Sequence, residues 1–179
     1  MKKGILLAIG MVVGGLGLLS GCGNQGDKTA GIPVGPKWKG LPYRLAFDTK
    51  APKPNPAGIT LPSIQFTANP DALEKRTMLV VRFDDLGQPK YVPTANKMIM
   101  PAFDISGAEG ALPADYVDRS NKALGEFMQT YCVKGKVKLS VALVRSSLTN
   151  QTGDAEVDAK RLSDWLPIEL TFKNPHPKC

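Results

Sequence analysis

Val137-Lys138-Leu139-Ser140-Val141-Ala142-Leu143-Val144 decides the fold class. Val137, Leu139, Val141 and Leu143 recur at every second position, the period of a strand with one buried face, which places Lys136, Lys138, Ser140 and Val144 outward. Immediately upstream the period changes. Val117, Ser120, Leu124, Phe127, Met128 and Tyr131 advance by three or four, so residues 113–132 read as one amphipathic helix, with Arg119, Lys122, Glu126 and Gln129 facing elsewhere. Asp115 and Asp118 suit a cap at the positive end of the helix, and Gly135 a stop.

Working outward, alternation dominates. Tyr43, Leu45 and Phe47 form one inward set, and residues 59–67 read as an edge strand because Pro62 lies within them. Asn69-Pro70-Asp71 reads as an N-cap followed by proline at the first helical position, opening a short turn. Residues 77–93 read as a hairpin: Leu79, Val81 and Phe83 share a face, Asp85-Leu86-Gly87-Gln88 turns, and Tyr91-Val92 begins the return. Residues 98–103 are a further strand candidate, and Ile168, Leu170 and Phe172 mark a last one. Residues 145–164 are polar with no clean period, although 155–165 allow a short helix, and this stretch is the longest candidate binding loop. The sum is α+β: an antiparallel sheet or small β-sandwich of about six strands with one main helix packed on it.

The amino terminus has a different character. Lys2 and Lys3 precede an uncharged, mostly apolar run from Gly4 to Leu19, and Leu19-Ser20-Gly21 leads into Cys22. Charged start, apolar core, small residues and cysteine together resemble the signal peptide and lipobox of bacterial lipoproteins. That resemblance covers residues 1–22. It implies cleavage after residue 21, a diacylglycerol on the Cys22 thiol and a palmitate or similar acyl chain on the new amino group. Gly23 rather than Asp follows the cysteine, which by the sorting rule of such lipoproteins implies the periplasmic face of the outer membrane. The domain plan is then 1–21 signal peptide, 22–40 lipidated cysteine and flexible tether, and 41–179 a single globular domain. A stretch rich in Gly, Asn, Gln and Pro buries too little to order itself, and about 18 such residues reach roughly 20–25 Å. Trp38, at the tether's end, is expected to pack on the first strand.

Charge and cysteines narrow the functional classes. Removing Lys2 and Lys3 from 23 basic residues leaves 21 against 16 acidic, a net +5. The lysines are interspersed with acids rather than clustered with aromatics, which argues against a nucleic-acid partner and leaves an acidic protein or an anionic membrane. With Cys22 spent on lipid, Cys132 and Cys179 remain as a pair in an oxidising compartment and are expected to form a disulfide.

Chemistry-bearing motifs are sparse. The single histidine, His176, stands between prolines near the carboxy terminus, so neither a Ser-His-Asp nor a Cys-His catalyst is expected. Neither remaining cysteine has a second ligand at metal-binding spacing, and the main helix opens without a glycine-rich phosphate loop. Asp84-Asp85 is expected as turn chemistry, because successive strand residues face opposite ways. No catalytic residue, metal site or cofactor is therefore expected. The leading reading is a protein-binding module anchored to the membrane through its amino-terminal lipid. In layout it is similar to the immunity proteins that Gram-negative bacteria hold against periplasm-acting effectors, such as type VI secretion lipases or peptidoglycan hydrolases. Arg82, Lys136, Lys138 and Arg145 are the candidate contacts. The alternatives are a structural or assembly lipoprotein of an envelope secretion or conjugation machine, and a carrier of lipid or another small ligand.

Overall fold

The computed structural model describes residues 38–48, 61–172 and 179. The signal reading, residues 22–37 of the tether and His176 lie outside the described residues. Lys37–Cys179 forms one compact unit, and it contains every member of both buried clusters.

The fold is α+β, built from antiparallel sheets of three and five strands with one main helix. In chain order the elements are β1 (Tyr43–Phe47), β2 (Ile64–Ala68), a 3-10 turn (Pro70–Ala72), β3 (Arg76–Asp85), β4 (Lys97–Ile99), β5 (Phe103–Asp104), β6 (Glu109–Ala111), α1 (Ala114–Thr130), β7 (Gly135–Arg145), α2 (Asp154–Ala159) and β8 (Leu166–Phe172). The smaller sheet runs β1-β2-β6; the larger runs β4-β3-β7-β8, with β5 also on β3. The segment carrying Arg161 and Ser163 joins them, since Leu162 donates to the Leu143 carbonyl of β7 and its own carbonyl accepts from Tyr43 of β1.

β7 is the centre. Val137, Leu139, Val141 and Leu143 are buried with Leu79 and Val81 of β3, Phe172 of β8, and Tyr116, Leu124 and Met128 of α1. The period-two reading of this face is therefore correct. The other face departs from it: Ser140 and Val144 are buried rather than outward. Val80, Ile99, Val144, Leu148 and Val157 form a second cluster there, flanked by Met78 and Trp165. The aperiodic segment 145–164 thus carries α2 and covers half of the sheet's second face.

Local chemistry explains the other departures. β2 is the middle strand of its sheet, not an edge; it starts after Pro62, so no ladder donor is missing. The return of β3 is β4, pairing Val80 with Ile99 and Arg82 with Lys97, while Tyr91 and Val92 lie exposed in the intervening loop. Residues 98–103 do not form one strand: the register on β3 slips by one residue between β4 and β5, around Met100 and Pro101. Where that slip opens the ladder, the Leu79 amide donates 3.1 Å to the Tyr116 hydroxyl. Burial pushes that phenol up to about 12. Asn69 caps the 3-10 turn as expected, accepting from the Asp71 amide at 3.1 Å.

The ends of α1 also differ from expectation. Its N-cap is Pro113, and Asp115 sits inside the first turn, paired 3.0 Å from Arg119. At the other end the left-handed residue that stops the helix is Cys132, at φ +53°, three residues before Gly135. Val133 donates to the Met128 carbonyl and Cys132 to that of Gln129, the paired bonds of a Schellman closure in which glycine is the usual residue. Cys179 lies at disulfide distance from Cys132, their Cα atoms 5.2 Å apart.

One glycine is fixed by contact. Gly87 adopts φ +64°, and a Cβ there would meet the Lys136 carbonyl oxygen at 2.9 Å. Gly135, at φ +87°, has open space around the same position. Gly87→Ala is expected to destabilise by about 2–3 kcal/mol, and Gly135→Ala by about 1 kcal/mol, because only the first adds a backbone clash to the left-handed penalty. Urea unfolding of the two variants checks this, and equal midpoints would contradict it.

Candidate recognition face

On the side of the large sheet away from α1, alternation brings Arg82 and Asp84 of β3, Lys136, Lys138 and Ser140 of β7, and Glu169 of β8 to one uncovered half. The register sets Arg82 opposite Ser140 and Lys138 opposite Glu169. A bulge between Phe83 and Asp85 breaks strict alternation at this end of β3. Asp84 stays on this face, where it accepts a short hydrogen bond from Ser140 Oγ. Asp85 is spent on the turn, its Oδ1 accepting from the Gly87 amide at 2.8 Å. The two acids therefore have separate structural partners, the turn role expected for them holding for Asp85 alone.

Arg82 is the best-organised side chain on this face. Its Nε lies 2.8 Å from Asp84 Oδ1, and its guanidinium lies 4.2 Å from the centre of the Trp165 ring. Trp165 is held in turn: its indole Nε1 donates 3.2 Å to Asp158 Oδ1, an oxygen that also pairs with Arg161 Nε at 2.9 Å. The Nη groups of Arg82 meet no acceptor among the described residues. Stacking on an indole and a fixed Nε leave the two Nη groups as a preset fork for a carboxylate or another planar acceptor, with less rotamer freedom to lose on binding.

The covering segment is tied down beside it. Asp154, in the first turn of α2, accepts from Lys97 Nζ at 2.6 Å and from Asn96 Nδ2 at 2.8 Å. These two bonds, Lys97 first, hold the Asp154 carboxyl below its usual range. Asn150 Oδ1 takes the amide of Ile99 at 2.7 Å, so edge strand β4 finds a partner in this segment.

Of the four cations singled out in the sequence, three share this face and Arg145 does not. Arg82, Lys138 and Lys136 share the uncovered half, Lys136 lying beyond Lys138 toward the strand's start and pairing with Glu169 at 3.0 Å. Lys138 forms no ion pair among the described residues, and a shallow depression of about 230 Å³ lies against it, lined also by Asp84, Pro167 and Glu169. Arg145 is at the far end of β7, about 30 Å from Lys136 along an extended strand, and pairs with Glu74 at 3.2 Å. Its position in the alternation assigns it to the helix side. Trp165 was missed in the sequence, while Asp84 was read as turn chemistry and Ser140 only as an outward residue; Arg82 and Trp165 stand 83 positions apart, and no spacing rule links them. Trp38, by contrast, packs on the first strand as expected, its ring 4.8 Å from the Arg44 guanidinium.

The fold defines an α+β domain whose sheet exposes half of one face around a stacked arginine. Comparison of the chain with protein-family models, curated proteins and solved structures returns no match.

Proposed function

We propose that this chain is a lipid-anchored periplasmic protein of the outer membrane that binds another protein through the Arg82–Trp165 face, acting as an immunity protein against a periplasm-acting effector. The carrying observation is the Arg82 guanidinium, immobilised by Asp84 and Trp165 with its Nη groups unfilled. Arginine and tryptophan are the residue types most enriched among those that dominate binding energy, and prior immobilisation lowers the entropic cost of capture. The lipobox-like Leu19-Ser20-Gly21-Cys22 supports the anchor.

The mechanism is occlusion without catalysis. A carboxylate at the rim of the effector's cleft docks on the Arg82 fork, Lys138 supplies a second positive charge, and the sheet face blocks access to the cleft. The tether keeps the inhibitor at the membrane under attack, and the mature net charge of +5 speeds capture of an acidic partner more than it deepens affinity.

Site-specific photocrosslinking in intact cells tests this. A photoreactive residue replacing Lys138 is expected to trap a discrete envelope protein, whereas one replacing Lys122, exposed on α1, is not. Arg82→Ala should cut the Lys138 yield at least tenfold, as loss of a dominant contact does. Equal labelling from both positions, or a yield unaffected by Arg82→Ala, would contradict the reading.

A further inference from the structure

The large apolar side chains that stand exposed among the described residues are Tyr91, at 52%, and Val92, at 86%, neighbours in the loop 86–96 between β3 and β4. This loop is anchored ahead of the pair and at its first residue. Gly87 packs against the Lys136 and Lys134 carbonyls, and the Tyr91 amide donates 3.3 Å to the carbonyl of Tyr131 at the end of α1. The apolar tip is thereby held near the end of α1 and the start of β7, where Lys90, Lys134 and Lys136 are exposed. Asp85 caps the Gly87 turn, Asp84 holds Arg82 and Ser140, and Glu169 pairs with Lys136.

We propose that this end is a second, lipid-independent membrane contact: Tyr91 and Val92 enter the interface of an anionic bilayer while the surrounding lysines face its phosphates. Two features favour a lipid surface over a protein here. The cations are all lysines, a type depleted from protein interfaces but effective at a distance against a charged bilayer. The apolar pair also forms a small protruding tip, suited to shallow insertion among headgroups, with tyrosine a preferred interfacial residue. This contact would orient a tethered domain with its loop end down.

Lys37–Cys179, which holds both buried clusters found among the described residues and lacks the proposed lipid site, is the piece to test. Cosedimentation is measured with vesicles of phosphatidylcholine containing 30% phosphatidylglycerol and with phosphatidylcholine alone, each at about 50 mM and 500 mM salt. Binding is expected to the anionic vesicles at low salt and to be lost at high salt. Tyr91→Ala/Val92→Asp should weaken it about tenfold or more, as should Lys90→Glu/Lys134→Glu; circular dichroism confirms that these exposed substitutions leave the fold intact. Failure to bind anionic vesicles would overturn the proposal, and so would binding that both double variants leave unchanged. Loop variants that abolish capture of an acidic protein, with no vesicle binding by the parent, would assign the loop to a protein instead.

Discussion

Leu139→Ala is expected to lower the unfolding free energy by about 3–4 kcal/mol, a large share of the roughly 5–15 kcal/mol that holds a domain folded. Leu139 is fully buried at the centre of β7, paired with Phe83 on one side and Ile168 on the other. Its side chain joins the cluster shared by both sheets and α1, so truncation leaves a void that three elements would have to close together. Rigid strand pairing on both flanks limits that collapse, which places the cost in the upper part of the range for such changes. A thermal midpoint about 10 °C below the parent is the corresponding reading for a domain of this size. A fall of under 1 kcal/mol in urea titration would show that the sheet is not packed as described.

The second large effect belongs to the carboxy-terminal clip. A bond between Cys132 and Cys179 closes a separation of 47 residues, worth about 4 kcal/mol on the chain-entropy model and commonly somewhat less in practice. Cys179→Ser is therefore expected to lower stability by about 2–4 kcal/mol, and non-reducing mass spectrometry should find both thiols of the parent blocked. The left-handed conformation of Cys132 gives a finer check. Among variants that cannot form the bond, Cys132→Gly should be more stable than Cys132→Ala by about 1 kcal/mol, because glycine relieves the strain at φ +53°. Free thiols in protein from an oxidising compartment, together with a silent Cys179→Ser, would remove the clip from the structure.

Much of the fold was legible because its central elements have strong periods. The alternation of Val137 to Leu143 and the spacing of four from Ser120 through Leu124 to Met128 each recur often enough to fix a buried face. Tyr91-Val92 was too short a signal to support a strand; Pro89 and Pro93 flank it, and the true return begins at Lys97. The second cluster was hidden for a related reason. Leu148, Val157 and Trp165 are separated by nine and eight residues, and their common surface exists only once α2 has folded over β3 and β7. Cys132 as the helix stop was illegible because propensity favours Gly135, and tertiary closure overrides that preference.

The candidate face was half legible. Exposed Lys136 and Lys138 follow from strand parity alone, and so does Arg82. Parity also separates Arg145 from them, because it shares the phase of Leu143. Which cation is immobilised could not be read: that depends on Trp165, which arrives from a segment with no period, and on the bulge that keeps Asp84 beside Ser140. Bulges and aperiodic covering segments are features whose geometry is set by partners distant in sequence.

Metabolic labelling with palmitate is the direct test of the proposed lipid tether. The full chain is expected to incorporate label and to sediment with outer membranes, and Cys22→Ala to abolish incorporation. An unlabelled parent chain, or label retained by Cys22→Ala, would contradict it.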